Sequence, residues 1–393
     1  MLKYIKRSLE PLILKSIKKF PALVITGARQ TGKSTLIKQL FPDAAYLSFD
    51  SLSLRNYAKS DPVGFLSEYS GVLILDEIQE VPELLSYIKI EIDKNRQPGR
   101  FIITGSQQFS LMEGVQESLA GRAAILELST FSFIEIQSKI KKLKWQELAY
   151  RGCYPEIWTN KGIDIELWYS SYVKTFIDRD ISKHLKEQNL YNYGRFIELL
   201  AVRTAQELNI TSLSKELGLD QKTIQTWLSF LIRSQIVFLL PPFYKNLGKR
   251  IIKKPKLYFY DTGLVASLTR HRNAGLIKNG PMSGAFYENL IISELMKQNM
   301  AKAKQKNFFY FRENSGLEID LIIDDPLNPL AIEIKTTMTP SLADVNNLIK
   351  FRELVDTQFR THLICPSLEK LSFKGVKVLN HDEVFSVNIL KAS

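Results

Sequence analysis

The apolar positions of the chain fall into three regimes. In the first, short uninterrupted runs (Ala22 to Thr26, Val72 to Leu75 and residues 101–104) each end in a turn or an acid and give way to a helical period. That alternation predicts central strands of a parallel sheet with helices between them. In the second, residues from Trp145 to about Ala205 read as largely helical. Two amphipathic helices follow, the first capped by Thr211 or Ser212 and ending at Gly218, the second running from about Gln221 to Ser234 ahead of a β-rich stretch. The third regime opens on "GPMSGAFYENLIISELMKQ", a helix with Phe286, Leu290, Ile291 and Leu295 toward a core. Two strands around a turn at Asn314 to Gly316, a third strand in "LAIEIKTT" and a further αβ stretch complete it. The pattern predicts an α/β multidomain protein divided at 1–140, 141–205, 206–265 and 266–393, in keeping with a length of 393 residues.

Chemistry enters at the first strand. "GARQTGKST" fits G-x-x-x-x-G-K-[ST] between a strand and a helix. The residues Gly27, Ala28, Arg29, Gln30, Thr31, Gly32, Lys33, Ser34 and Thr35 are expected to bind ATP. The glycines let backbone N–H groups approach phosphate, Lys33 supplies a point charge, and Ser34 offers its hydroxyl to Mg²⁺. "GVLILDEIQ" is the matching acidic strand end, with Asp76 for the magnesium and Glu77 to polarise the attacking water. After the third strand Ser106, with Thr104 close behind, is placed to orient that water; the alternative is a serine turn capping the next helix.

Charge adds a candidate partner. The net charge is +12, and "PPFYKNLGKRIIKKPKLYFY" carries Lys245, Lys249, Arg250, Lys253, Lys254 and Lys256 with no acid. Such a segment suits a polyanion. The helix pair before it has helix-turn-helix spacing, and the strands after it make the motif winged. Gln221, Lys222, Thr223, Gln225 and Thr226 then occupy recognition-helix positions. Nucleic acid, branched DNA included, is the expected partner, with protein contact as the rival use of the same fold. Cys153 and Cys365 are far apart and have no metal-ligand spacing, which points to a reducing interior. There is no signal-peptide pattern and no apolar run of bilayer length, so a cytoplasmic protein without a membrane partner is expected.

On the third strand of the last regime Glu333 and Lys335 share one side, and Asp320 lies 13 positions earlier on the preceding strand. With Glu288 from the helix these form an oxygen-rich set suited to Mg²⁺ or Mn²⁺, with Lys335 to stabilise charge on phosphate and Glu318 as a further acid. The alternatives are a charged sheet face and a silent scaffold.

The order of "GARQTGKST", "LILDEIQ", "FIITGSQQF" and "SLAGRAAILEL" resembles the AAA+ ATPases, in particular archaeal and bacterial members with a separate C-terminal domain. The resemblance implies an AAA+ core with a helical lid and homo-oligomers. It also implies that Arg122 senses the γ phosphate, in its own site or a neighbour's, with Arg179 a possible second arginine from the lid. The helix, Asp320, Glu333-x-Lys335 order is similar to the PD-(D/E)XK nucleases, although no proline precedes Asp320. That similarity implies a restriction-endonuclease-like domain with Asp320, Glu333 and Lys335 as catalytic residues. Together these readings describe an ATPase that binds nucleic acid and cleaves it, or an ATP-gated switch whose last domain is silent.

Overall fold

β1 (Ala22–Thr26) is completely buried and its side chains alternate between two apolar clusters, Ala22 and Val24 into one, Leu23 and Ile25 into the other. This is why its sequence is continuously apolar. It pairs in parallel with β4 (Phe101–Thr104) and β5 (Ala123–Glu127), and β4 continues through β3 (Leu73–Asp76) to β2 (Ala45–Ser48). The order is β2-β3-β4-β1-β5, with helices Lys33–Leu40 and Leu84–Lys94 among its connections. The computed structural model describes residues 4–105, 114–115, 117–140, 143–176, 190–243, 254–355 and 359–386.

Among the described residues the middle of the chain is largely helical, as expected, with helices Trp145–Arg151, Pro155–Thr159, Ile165–Phe176 and Leu190–Val202. Helices Ile210–Leu217 and Gln221–Arg233 follow, capped by Asn209 and Asp220, so the first cap lies ahead of both residues expected for it. Trp227 packs edge-on to Tyr193 and Phe196 at 5.2 and 5.7 Å, which fixes the second helix to the helical unit. A small antiparallel sheet comprises β6 (Gln206–Glu207), β7 (Val237–Leu240) and β8 (Lys256–Phe259), in the order β6-β8-β7. Between β7 and β8, residues 244–253 carry Lys245, Lys249, Arg250 and Lys253, which therefore lie outside the described residues.

The last sheet has the order β13-β14-β12-β11-β10-β9. Its strands are β9 (Asn307–Arg312), β10 (Glu318–Asp324), β11 (Leu330–Ile334), β12 (Arg360–Cys365), β13 (Ser372–Phe373) and β14 (Val376–Asn380). β9, β10 and β11 are antiparallel, and β11, β12 and β14 are parallel. Leu321, Ile332 and Ile334 face the Ser283–Met300 helix cluster, while Ile322, Ala331 and Leu363 face Phe351 and Leu348 of helix Asn346–Leu354. Both faces are covered, so β10 and β11 are almost wholly buried.

The expected boundaries at 205/206 and 265/266 are not breaks in the core. One apolar cluster runs from Phe131 through Trp227 and Phe259 to Phe385, and helix Thr262–Leu268 crosses the second boundary. Past β7 the chain also joins the last sheet: Phe243 N donates to Tyr310 O at 2.6 Å and Tyr310 N to Pro241 O at 3.0 Å. Hydrophobic pattern locates elements, and shared burial between them is set by partners distant in sequence.

Candidate functional site

The loop between β1 and helix Lys33–Leu40 is shaped by its glycines. Gly27 has φ +152° and its Cβ position would lie 2.2 Å from Leu128 O; Gly32 has φ +87°. No side chain fits at the first position, and the second suits only a residue free to adopt a left-handed backbone. Lys33 is buried and its ammonium donates to Gly27 O at 3.0 Å and Ala28 O at 2.9 Å. Ser34 Oγ donates to Asp76 Oδ2 at 2.7 Å, and the hydroxyls of Tyr46 and Thr104 also donate to the Asp76 carboxylate. Burial, then the bond to Asp76, holds the Tyr46 phenol well above its ordinary pKa. The expected pair Ser34 and Asp76 is thus brought together at the sheet's C-terminal edge, and its oxygen donors fit Mg²⁺. Glu77 follows in a left-handed conformation, φ +56°, with Gln79 Nε2 donating to its Oε2.

Arg29, Gln30, Gly32, Lys33, Ser34, Thr35 and Glu77 line a cavity of about 550 Å³. Its far wall was not foreseen. Trp168, Tyr172 and Phe176 project from successive turns of helix Ile165–Phe176, Trp168 stacked on Tyr172 at 5.4 Å and 11°, Tyr172 on Phe176 at 6.4 Å and 9°. An i, i+4, i+8 aromatic spacing was legible as one helix face, but its use as a cavity wall depends on how that helix docks. Behind the loop, Arg7 is buried and donates to Glu135 Oε2 at 3.1 Å, Thr31 O at 2.8 Å and Ser129 O at 2.7 Å. From the middle of the chain, buried Gln235 accepts from Ala28 N at 3.2 Å and donates to Glu127 at 3.2 Å.

Three expected residues behave otherwise or fall outside. Arg122 precedes β5, whose Ala123 pairs with Ala22, whereas the phosphate loop leaves the other end of β1. Five residues of strand separate them, about 16 Å. Arg122 instead forms a bidentate pair with Asp93, Nε to Oδ1 at 2.7 Å and Nη2 to Oδ2 at 2.8 Å. A role in its own site is thereby corrected by strand direction. Ser106 and Arg179 lie outside the described residues.

In the last sheet the register Leu321↔Ile332, continued by one residue, sets Asp320 opposite Glu333. Asp320 Oδ2 accepts from Ile334 N at 2.8 Å, and Lys335 Nζ lies 2.7 Å from Glu333 Oε1. Burial first, then the charge of Asp320, pushes Glu333 up to about 8 and Glu288 to about 7. The second Glu333 oxygen is buried with no hydrogen-bond partner among the described residues. A hard, oxygen-seeking cation suits this donor set. Yet among the described residues no three acidic, thiol or imidazole side chains are set to hold one metal ion, so the expected metal trio Glu288, Asp320 and Glu333 is not assembled. The buried ammonium of Lys256 stands among these acids instead. It lies 3.2 Å from Glu288 Oε1, 2.6 Å from Glu318 Oε1 and 3.7 Å from Asp320 Oδ1. Lys256 is 3% exposed, so it is not part of the expected basic arm. Tyr258 OH also donates to Glu288, at 2.6 Å.

Residues 19–137 match the family profile of an AAA domain. The N-terminal unit is an AAA-family ATPase domain. Residues 142–274 and 283–384 match two domains of unknown function, DUF8612 and DUF4143. The chain is 29% identical over 340 residues to uncharacterized proteins of Mycobacterium bovis (Mb2031c) and Mycobacterium tuberculosis (Rv2008c), covering 86% of this chain and 75% of each relative. Among solved structures it is similar to the Walker-type ATPase PABY2304 of Pyrococcus abyssi, with 12% identity, a TM-score of 0.46, and 67% of this chain and 96% of that one covered. The RuvB Holliday junction branch migration motor of Thermotoga maritima matches at 17% identity and a TM-score of 0.30, covering 60% and 86%. The loop and the Ser34, Asp76 and Glu77 cluster lie inside the matched AAA segment. The aromatic wall and Gln235 come from the DUF8612 segment, which also supplies Lys256 to acids of the DUF4143 segment. No described helix is long and apolar enough to cross a membrane.

Proposed function

We propose that the protein hydrolyses ATP to act on nucleic acid, and that its C-terminal acids form a metal-dependent site for phosphodiester cleavage. In the AAA domain, Ser34 and Asp76 would hold Mg²⁺, which would neutralise charge on the phosphates. Lys33 sits over the loop as a point charge, and Glu77 takes the proton of the attacking water. Arg122, turned away from its own phosphate loop, would reach the site of a second copy. Trp168 and Tyr172 offer a flat apolar face for a nucleobase. Trp168→Ala should weaken ATP binding by about tenfold, a stacking contribution of about 1–3 kcal/mol, and leave tripolyphosphate binding unchanged by calorimetry. Equal losses for both ligands would remove the base from that wall.

The observation that carries the C-terminal reading is the pairing of Asp320 beside Glu333 with Lys335 at hydrogen-bond distance. Asp320 and Glu333 would hold a divalent cation, with Glu288 drawn in from its present bonds to Lys256 and Tyr258, and the ion would supply Lewis-acid polarisation of a phosphoryl oxygen. Lys335 stabilises the charge that builds there. Nucleic-acid recognition rests on the exposed Gln221, Lys222, Gln225 and Thr226 of the second helix and on the basic stretch 245–254. A second reading, an ATP-gated switch with a silent last domain, is favoured by the Lys256 ammonium among the acids.

ATP turnover measured against DNA concentration tests the coupling. It should rise with branched or duplex DNA at low salt, and the stimulation should fall steeply as salt increases and when the 245–254 cations are neutralised. Turnover unchanged from no DNA to micromolar DNA at low salt would take nucleic acid out of the function.

A further inference from the structure

Lys256 is the first residue of β8, and its backbone is fixed from both sides, paired with Glu207 of β6 and Leu240 of β7. Its ammonium is buried and has three carboxylates around it, one from helix Ser283–Met300 and two from β10. Among the described residues Glu318 has a second, more distant partner in Arg312 at 3.7 Å, and the neighbouring Glu333 is met by Lys335. Burial works against the charge on Lys256, but Glu288, Asp320 and Glu318 outweigh it and hold the ammonium in its charged form. A single positive charge therefore sits at the convergence of three carboxylates. A fourth acid beside them, Glu333, is 3% exposed and keeps one oxygen without a hydrogen-bond partner.

Resting on the C-terminal reading above, we propose that Lys256 is a resident cation that occupies the seat a divalent ion would take, so that metal loads onto the DUF4143 acids only as this side chain withdraws. Two kinds of occupant compete for the same oxygens. The ammonium brings one charge and donates hydrogen bonds; a divalent ion brings two charges and, with Lys256 gone, draws in the unsatisfied oxygen of Glu333. Because the ammonium is carried by the small sheet of the preceding segment, metal occupancy of one unit is tied to the side-chain position of another. Backbone bonds between Pro241, Phe243 and Tyr310, and that of Tyr310 OH to Lys254 O at 2.5 Å, hold the two units in register, so exchange needs a side-chain swing and no separation of units.

Mn²⁺ binding to the nucleotide-free full chain, read by electron paramagnetic resonance and calorimetry, tests this with wild type, Lys256→Met, Lys256→Arg and the double variant Lys256→Met with Asp320→Asn. Lys256→Met should bind one Mn²⁺ about tenfold or more tightly than wild type, as expected when a competing charge leaves the acids uncompensated. Lys256→Arg should stay as weak as wild type, and the double variant should lose the gain. Thermal unfolding gives an independent reading: Lys256→Met should melt lower than wild type without metal and recover with Mn²⁺. If Lys256→Met does not fold, Lys256→Gln is to show the same gain. Wild type and Lys256→Met binding Mn²⁺ equally tightly at a site lost with Asp320→Asn would overturn the competition while leaving the metal reading intact. Mn²⁺ binding in neither, with both folded, would overturn the competition and the metal reading together.

Discussion

Glu77→Gln should lower ATP turnover by about 10²–10⁴-fold and leave ATP affinity within a few-fold of wild type. The expectation comes from position. Glu77 lines the cavity opposite Lys33 and Ser34, directly after the acid that meets the Ser34 hydroxyl. Its backbone is held at φ +56°, a conformation that costs energy for any residue but glycine, and Gln79 anchors one carboxylate oxygen. A carboxylate on the cavity wall can accept a proton from water, and the amide of glutamine keeps the shape without the basicity. Phosphate release and equilibrium nucleotide binding, measured on the same preparations, separate the two effects. Turnover within tenfold of wild type would assign the base to another group, and a parallel loss of binding would make Glu77 part of the nucleotide's seat.

The largest stability effect is expected at Arg7, outside the AAA segment that begins at residue 19. Its buried guanidinium meets Glu135 and three main-chain carbonyls, Thr31 of the phosphate loop and Ser129 and Thr130 after β5, and lies 4.8 Å from the Phe131 ring. Arg7→Ala leaves Glu135 as a buried charge, although the capping N–H of Ser132 and Ser8 N still reach it. A loss of about 3–5 kcal/mol is expected on breaking a buried pair from one side. Denaturant unfolding of the full chain measures it, with Glu135→Gln as the partner variant. A double variant no less stable than either single one would confirm that the pair acts as a unit; a loss under about 1 kcal/mol for Arg7→Ala would show it to be solvated in effect.

The phosphate loop and the acidic strand end were legible because each is a contiguous run whose chemistry and backbone demands coincide: Gly27 and Gly32 stand where the turn needs them, and Asp76 ends an apolar strand. The strand pair carrying Asp320 and Glu333 was legible for a related reason, since a short connection, residues 325–329, joins the two strands and alternation along each sets which side chains share a face. Lys256 was not. Within a basic run it reads as one more solvated charge, and only the fold brings Glu288, Glu318 and Asp320 from 32 to 64 positions away to neutralise it. The own-site alternative for Arg122 failed in the same manner, because strand direction, and not proximity in sequence, decides which edge of the sheet a residue occupies. Trp168 and Tyr172 were visible as aromatic residues on a helix, but no local signal says what a helix face will look upon.

Cleavage of end-labelled branched, single-stranded and duplex DNA with Mg²⁺ or Mn²⁺ is the most direct measurement. Wild type, Lys33→Ala and Lys256→Met should each nick at least one of these substrates, Lys256→Met fastest, with cutting lost on chelation and in Asp320→Ala with Lys335→Ala. No cutting of any substrate by wild type or Lys256→Met, in a preparation that still hydrolyses ATP, would contradict the account and leave the last domain a silent one.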